Sequence, residues 1–414
     1  MTERRLLTMR AGFAKTNITP PLGIELSGYG YYLERKGTHV VDPLYAHCLA
    51  LENAQGEKFV LFSCDALGLN MPLCEKVRQH LLSTHHIPNE HVMIVSIHTH
   101  TGPSYINHEG CGVMDPAFIE AVTPQFLQAA DEALADLKSV SSMTFGMATL
   151  PVPHAYNRTI PNGPVDDQVR SFSIKREDGK PIALLSYACH PVCHGRISGI
   201  SADYPGACCR IMEEKGFECM YLNGLCGDID PITKSVEHLE SFAANIISCF
   251  NESAEALPLT VDGNWLKNEV NLMPDTKEDL RNAAHQATTR EDMIPGADKV
   301  ARVWEAEMLD KFDSLQHRED IHVAYLHLGG VPIVALPFEG FTQIGSLLRE
   351  ELGDKRALTL GCAEELLGYL PTRDDIARGT YAALESTFLY KRLPYVPGEA
   401  ERIGTALGDM LRKA

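Results

Sequence analysis

The chain has 414 residues, 44% of them hydrophobic and 22% charged, the composition of a globular protein with enough apolar surface for a sizeable core. Its formal net charge is −18 and no Lys/Arg block interrupts that balance, which argues against phosphate backbones and anionic membrane surfaces as partners. No stretch approaches the roughly 18 uninterrupted apolar residues of a membrane span, and the first residues lack an apolar signal core; the expectation is a cytoplasmic protein without membrane anchoring that acts on a small molecule.

In chain order, a strand over 59–64 is followed by an amphipathic helix over 72–85, a strand over 92–97 and a helix over 116–137. The second of these strands runs into Ser96-Ile97-His98-Thr99-His100-Thr101-Gly102-Pro103. In extended chain His98 and His100 point to the same side, and the ends of strands in α/β sheets are where catalytic groups gather. Strands over 142–148, 171–175 and 182–188 follow, and the last delivers Cys189-His190-Pro191-Val192-Cys193-His194. Two strands thus bring imidazoles to corresponding ends, as a metal site needs; His194 reads either as a group near the substrate or as a plain loop residue.

Between these strands, Tyr156-Asn157-Arg158-Thr159 looks like a site loop, because the fixed fork of donors on Arg158 suits an oxyanion or a carboxylate. After a helix over 204–215 and a strand over 219–222 comes Gly227-Asp228-Ile229-Asp230-Pro231, whose two carboxylates could accept a proton or orient water, or simply form a turn. Helices are expected over 236–257, 277–289 and 299–312, and the charged stretch of about 274–318 reads as a helical insertion. Strands over 321–328 and 333–336 lead into Pro337-Phe338-Glu339, a carboxylate at a strand-to-helix junction before a helix over 341–352. A strand over 357–360 and a helix over 400–411 complete the reading.

No linker or internal repeat divides the chain, so residues 1–414 are expected to form a single α/β domain, layered α/β/α, with a mixed sheet and the helical insertion. The twelve cysteines are scattered through apolar runs and read as buried free thiols; no second Cys/His pair accompanies Cys189 to His194 to make a zinc finger.

Taken together these motifs resemble the catalytic domain of the neutral ceramidases, the neutral/alkaline non-lysosomal ceramidase family of zinc amidases. The likeness rests on Gly12 to Pro20, Ser27-Gly-Tyr-Gly, Leu44-Tyr45-Ala46, Ser63-Cys64-Asp65, Ser96 to Pro103, Tyr156 to Thr159, His190-Pro191-Val192, Ser201 to Gly206, Gly227 to Pro231, Leu336 to Glu339 and Gly368-Tyr369-Leu370-Pro371-Thr372, in that order along the chain. The resemblance implies one Zn²⁺ held by His98, His190 and Glu339, with His100 and Arg158 at the scissile group. It also implies departures: Asp230 stands where the family has a serine, and the family's tyrosine ligand aligns with Leu366, leaving Tyr369, Asp230 or solvent for the fourth position. The chain is expected to be a short form without the family's C-terminal immunoglobulin-like domain.

The reading is therefore a zinc-dependent hydrolase that cleaves the amide of a small soluble N-acyl compound, with His100, Arg158, Asp230 and Tyr369 as catalytic candidates and His194 and Asp228 as substrate contacts. Rival readings are an ester, lactone or phosphoester hydrolase using the same metal, and a non-catalytic metal-containing binding protein. A homo-oligomer is compatible with this reading, although no residue argues for it.

Overall fold

The computed structural model describes residues 8–251, 254–289 and 293–413. Its central strands have no polar face. Along Tyr45–Glu52, Ala46, Cys48 and Ala50 belong to one apolar layer while Leu49 and Leu51 belong to another; in Lys58–Cys64, Phe59 and Leu61 alternate with Val60, Phe62 and Cys64 in the same way. Strands buried on both sides read as continuous apolar runs, the signal that made Lys58–Cys64 visible in the sequence, whereas Tyr45–Glu52 was not among the expected strands.

The larger sheet has the strand order Glu218–Asn223, Ile182–Tyr187, Gln168–Arg176, Lys138–Thr149, Arg10–Asn17, Tyr45–Glu52, Lys58–Cys64, Val92–Ser96, with Glu255–Ala256 added beside Lys138–Thr149. It is mixed: Val92–Ser96 runs parallel to Lys58–Cys64, and Glu218–Asn223 parallel to Ile182–Tyr187. One face packs on the helices Met71–His85, Pro116–Ala135, Asp203–Glu214 and Val236–Ser248. The other face meets a second sheet of Val261–Asn271, Arg318–Leu328, Val331–Ala335 and Leu358–Leu360 across a wholly apolar layer. The outer face of that second sheet carries Lys277–Thr288, Ala297–Asp310, Thr342–Leu352 and Glu399–Leu411, packed about the buried Trp304.

The α/β class and the mixed sheet agree with the sequence reading, and the structure adds a second sheet between the helical layers. Full burial of each leucine or phenylalanine in these layers contributes about 1.5–3 kcal/mol, so apolar packing is what holds the strand ends in position. In chain order the helices Lys277–Thr288 and Ala297–Asp310 fall between Val261–Asn271 and Arg318–Leu328, which pair directly as antiparallel strands. The helix expected over 236–257 stops at Ser248; Glu252 and Ser253 lie outside the described residues, and Leu257 instead donates its N–H to the Met143 carbonyl. Among the described residues no helix is long and apolar enough to cross a membrane. All twelve cysteines are free, and eleven of them are buried.

One feature of the topology builds the site. Val92–Ser96 and Glu218–Asn223 are the two edges of the larger sheet, yet they are brought together: the Ser63 hydroxyl donates to the Tyr221 carbonyl and Asn223 Nδ2 donates to the Ile97 carbonyl at 2.9 Å. Residues 359–363 sit between the edges, with Ser96 N–H donating to the Cys362 carbonyl at 3.1 Å and Gly361 N–H to the Asn223 carbonyl at 3.3 Å. Strand ends far apart in the hydrogen-bonding order thereby open onto one place.

Candidate active site

His98 follows the edge strand Val92–Ser96 and has φ of 72°, a left-handed conformation that costs a non-glycine residue about 1–3 kcal/mol and persists only where its surroundings impose it. Its Nδ1 lies 2.7 Å from the Leu67 carbonyl, in the chain that leaves the neighbouring parallel strand. His190 follows Ile182–Tyr187, and its Nδ1 lies 3.0 Å from the Ile229 carbonyl. A carbonyl can only accept, so both imidazoles, when neutral, carry their proton on Nδ1 and present the Nε2 lone pair.

Those two Nε2 atoms converge on one carboxylate oxygen, with Glu339 Oε2 at 3.1 Å from His98 and 3.3 Å from His190. Glu339 sits in the short strand Glu339–Gly340, just past Val331–Ala335 of the second sheet. Its other oxygen, Oε1, accepts a 2.5 Å hydrogen bond from the Tyr390 hydroxyl. All three groups are buried. With the imidazoles neutral, three acceptors would face one another in a buried environment, an arrangement that a bound cation would relieve. The donor set, two imidazole nitrogens and a carboxylate oxygen with their outer atoms tied to backbone carbonyls and a tyrosine, suits Zn²⁺.

His100 Nε2 lies 3.4 Å from His98 Nε2, and one ligand atom from each of His98, His100 and His190 falls within 4.8 Å of the others. Burial, reinforced by the neighbouring histidines, pushes the His100 pKa well below its ordinary value, and its Nδ1 has no hydrogen-bond partner. Gly28, at φ of 90°, packs on this ring so closely that a Cβ there would lie 2.5 Å from it.

Arg158 follows the short strand Ala155–Asn157, which pairs with Ile229–Pro231. Its guanidinium donates to the Tyr369 hydroxyl at 2.8 Å, the Gly227 carbonyl at 2.8 Å and Asp230 Oδ1 at 3.2 Å. Burial opposes its charge, but Tyr369, Asp230 and Glu339 more than offset this and hold it protonated. Asp230 shows the reciprocal effect: burial raises its pKa, but Arg158, His190 and Lys234 draw it below the usual carboxylate range. Tyr369 is placed by the register of Tyr369–Leu370 against Glu339–Gly340, with its hydroxyl 3.4 Å from His190 Nε2. Leu366, where the tyrosine was expected by alignment, packs instead with Leu67 and Cys362 in a small apolar cluster.

A cavity of about 440 Å³ opens over these groups, lined among others by Tyr29, His100, Arg158, His190, Asp230 and Tyr369. The two expected substrate contacts are not on its walls. Asp228 is turned away and occupied: it accepts from Asn157 Nδ2 at 2.7 Å and from the Thr342 N–H at 2.8 Å, tying the Arg158 loop to the start of the helix Thr342–Leu352. His194 lines a separate cavity of about 270 Å³ with His47, Asp65 and Asp203. Gly227 makes the close crossing beside Asp228 possible, since a Cβ there would lie 2.3 Å from the Glu339 carbonyl oxygen.

Sequence reasoning missed Tyr390, whose segment Phe388-Leu389-Tyr390-Lys391 carries no local signal, and Tyr29, which meets the His100 ring edge-on at 5.0 Å between centroids. Tyr29 did lie within the Ser27-Gly-Tyr-Gly segment quoted for the family likeness, a signal that could have found it. Among the described residues one other group has metal-ligand spacing, His80, His85 and Asp131 on the surface between the helices Met71–His85 and Pro116–Ala135.

No protein-family model and no curated protein matches this chain. Solved structures share its fold, ceramidases among them. Neutral ceramidase from Pseudomonas aeruginosa superposes with a TM-score of 0.76 at 16% sequence identity, over 98% of this chain and 75% of that one. A ceramidase complexed with C2 superposes with a TM-score of 0.73 at 15% identity, over 98% and 76%. At such identity the likeness establishes the fold, and the chemistry has to be argued from the side chains.

Proposed function

We propose that this chain is a zinc-dependent hydrolase that cleaves an amide bond of a small N-acyl-type substrate. The observation that carries the reading is the convergence of the His98 and His190 Nε2 atoms on Glu339 Oε2, buried and backed by the Leu67 and Ile229 carbonyls. His98, His190 and Glu339 would hold the ion, with the Tyr369 hydroxyl 3.4 Å from His190 Nε2 and His100 Nε2 3.4 Å from His98 Nε2 beside them; when bound, zinc supplies Lewis-acid polarisation of a carbonyl and lowers the pKa of water toward neutrality. The fold shared with two ceramidases supports the choice of an amide among the possible electrophiles.

The chain's own residues do the rest. Arg158, held rigid by its hydrogen bonds to Tyr369 and Gly227, presents a permanent positive charge at the cavity wall to an oxyanion developing on the substrate, in a site where burial strengthens it. Asp230, ionised beside that arginine, and neutral His100, whose ring lines the cavity, are the groups placed to take a proton from attacking water and return it to the leaving amine. A carboxylate at position 230 removes the hydroxyl that a covalent serine route would need there. The twelve free thiols suit a reducing, cytoplasmic setting.

Elemental analysis of the purified protein tests the reading without knowledge of the substrate. Near-stoichiometric zinc that disappears in His98→Ala and in Glu339→Ala is the expected outcome; metal content that is unaltered in both variants refutes the ligand set. A panel of N-acyl amides, esters, lactones and phosphodiesters then separates an amidase from the other hydrolases.

A further inference from the structure

On a protein of net charge −18, the cavity above the histidines carries the opposite sign. Its walls hold three cationic side chains, Arg158, Arg196 and Lys234, against one carboxylate, Asp230. That carboxylate is shared by two of the cations, at 3.2 Å from Arg158 Nη1 and 3.4 Å from Lys234 Nζ. Arg196 is exposed at the mouth, and no ion pair or hydrogen bond of its guanidinium occurs among the described residues. Glu339 at the floor adds one negative charge, which a bound divalent ion would exceed. The rest of the wall sets the aromatic and aliphatic side chains of Tyr29, Tyr381 and Ile294 beside Thr159 and Thr380.

A neutral double-chain lipid offers such a cavity nothing that would match its cations, whereas an amphiphile with one carboxylate fits both parts: the apolar wall takes the hydrocarbon and the mouth takes the charge. We propose that the substrate is an amide bearing a carboxylate, bound at the cavity mouth by Arg196 with Lys234 beside it. Guanidinium and carboxylate match as a two-pronged donor and acceptor pair, and the local positive field within an acidic surface draws such a substrate to the cavity. This inference rests on the amide-hydrolase reading for its chemistry, but the recognition it describes can be measured as binding alone. The carboxylate can belong to the amine part, as in an N-acyl amino acid, or to the acyl part, as in a dicarboxylic acid monoamide.

The test is calorimetric titration of the zinc-loaded protein with N-hexanoylglycine, N-hexylsuccinamic acid and the uncharged N-hexanoylglycinamide. One of the two acids is expected to bind at least about tenfold more tightly than the uncharged amide, and which one does so tells the two sources apart. That preference is expected to fall to within about threefold in Arg196→Met, to weaken in Lys234→Met and to shrink in high salt. Equal binding of all three compounds, binding of none, or a preference that survives in Arg196→Met overturns the proposal, the last because the carboxylate would then be held elsewhere, at the metal for instance. If the acids bind with the expected preference and none is cleaved, the amidase reading fails while the recognition site stands.

Discussion

Two clusters in this chain each set two histidines against one carboxylate, and they differ in what lies behind the ligand atoms. On the surface, His80 and His85 both reach Asp131 Oδ1 from 2.7 Å, with the aspartate side chain 46% exposed. Water can replace any of these contacts, so the arrangement stands as an ordinary hydrogen-bonded pair tying two helices. In the interior, His98, His190 and Glu339 are each no more than 3% exposed, and the far atom of every group is already committed, to Leu67, to Ile229 and to Tyr390. There the near atoms are buried, and with the imidazoles neutral three acceptors would face one another. The same residue types give a replaceable surface contact in one place and, in the proposed reading, a cation site in the other, because burial and the partners behind the ligands decide which chemistry is available.

The contrast is broken most severely by removing an interior ligand. Glu339→Gln or His190→Ala should abolish stoichiometric zinc and lower kcat/KM on whichever amide proves to be the substrate by on the order of 10³-fold or more, about 4 kcal/mol of transition-state stabilisation; metal analysis and steady-state kinetics check both. Removal of the metal by a chelator should reproduce that loss in the unaltered protein, and zinc should restore activity.

A smaller effect, confined to chemistry, is expected from Arg158→Met. Zinc should be retained while kcat falls by roughly 10²–10³-fold, the usual consequence of deleting one donor to an oxyanion. An unchanged kcat would remove Arg158 from that role.

Asp228→Asn probes the scaffold beneath the site. Its carboxylate holds both Asn157 and the start of Thr342–Leu352, so loss of these charge-assisted contacts should cost about 1–3 kcal/mol in denaturant unfolding, with zinc content retained.

The smallest effect belongs to the surface cluster. Partial burial raises the pKa of Asp131, but hydrogen bonds from His85 and His80 outweigh it and hold the carboxyl below its usual value. A depressed folded pKa contributes stability that is present above the unfolded value of about 3.9 and is lost as pH falls through the folded one. Asp131→Asn should therefore cost less than about 1 kcal/mol at neutral pH, given solvent screening, and the difference should shrink as pH falls below the unfolded value; zinc content and activity should not move.

How far each part could be read in advance follows from the same physics. Strands such as Lys58–Cys64 and Ile182–Tyr187, buried on both faces, left unbroken apolar runs and were legible. Arg10–Asn17 and Val261–Asn271 were not, since alanine, glycine, lysine and asparagine among their residues give no strand signal and only pairing with Tyr45–Glu52 and Arg318–Leu328 makes them strands. In the site, His98, His190 and Glu339 stood out because each follows such a run. Asp228 and Asp230 looked equivalent two residues apart, yet one is committed to Asn157 and Thr342 while the other faces Arg158, a division set by contacts with distant segments.

The amino-acid sequence by itself determined the α/β class, the net acidic charge and the delivery of two histidines and a glutamate at strand ends, because these depend on local composition and periodicity. Only the tertiary structure decided that the two edges of the larger sheet close together, that Tyr369 rather than Leu366 reaches the histidines, that Tyr390 backs Glu339 and that Arg196 stands at the cavity mouth. Those outcomes turn on which distant segments become neighbours, and the apolar layers on the two faces of the strands, packed across the whole chain, are what choose them.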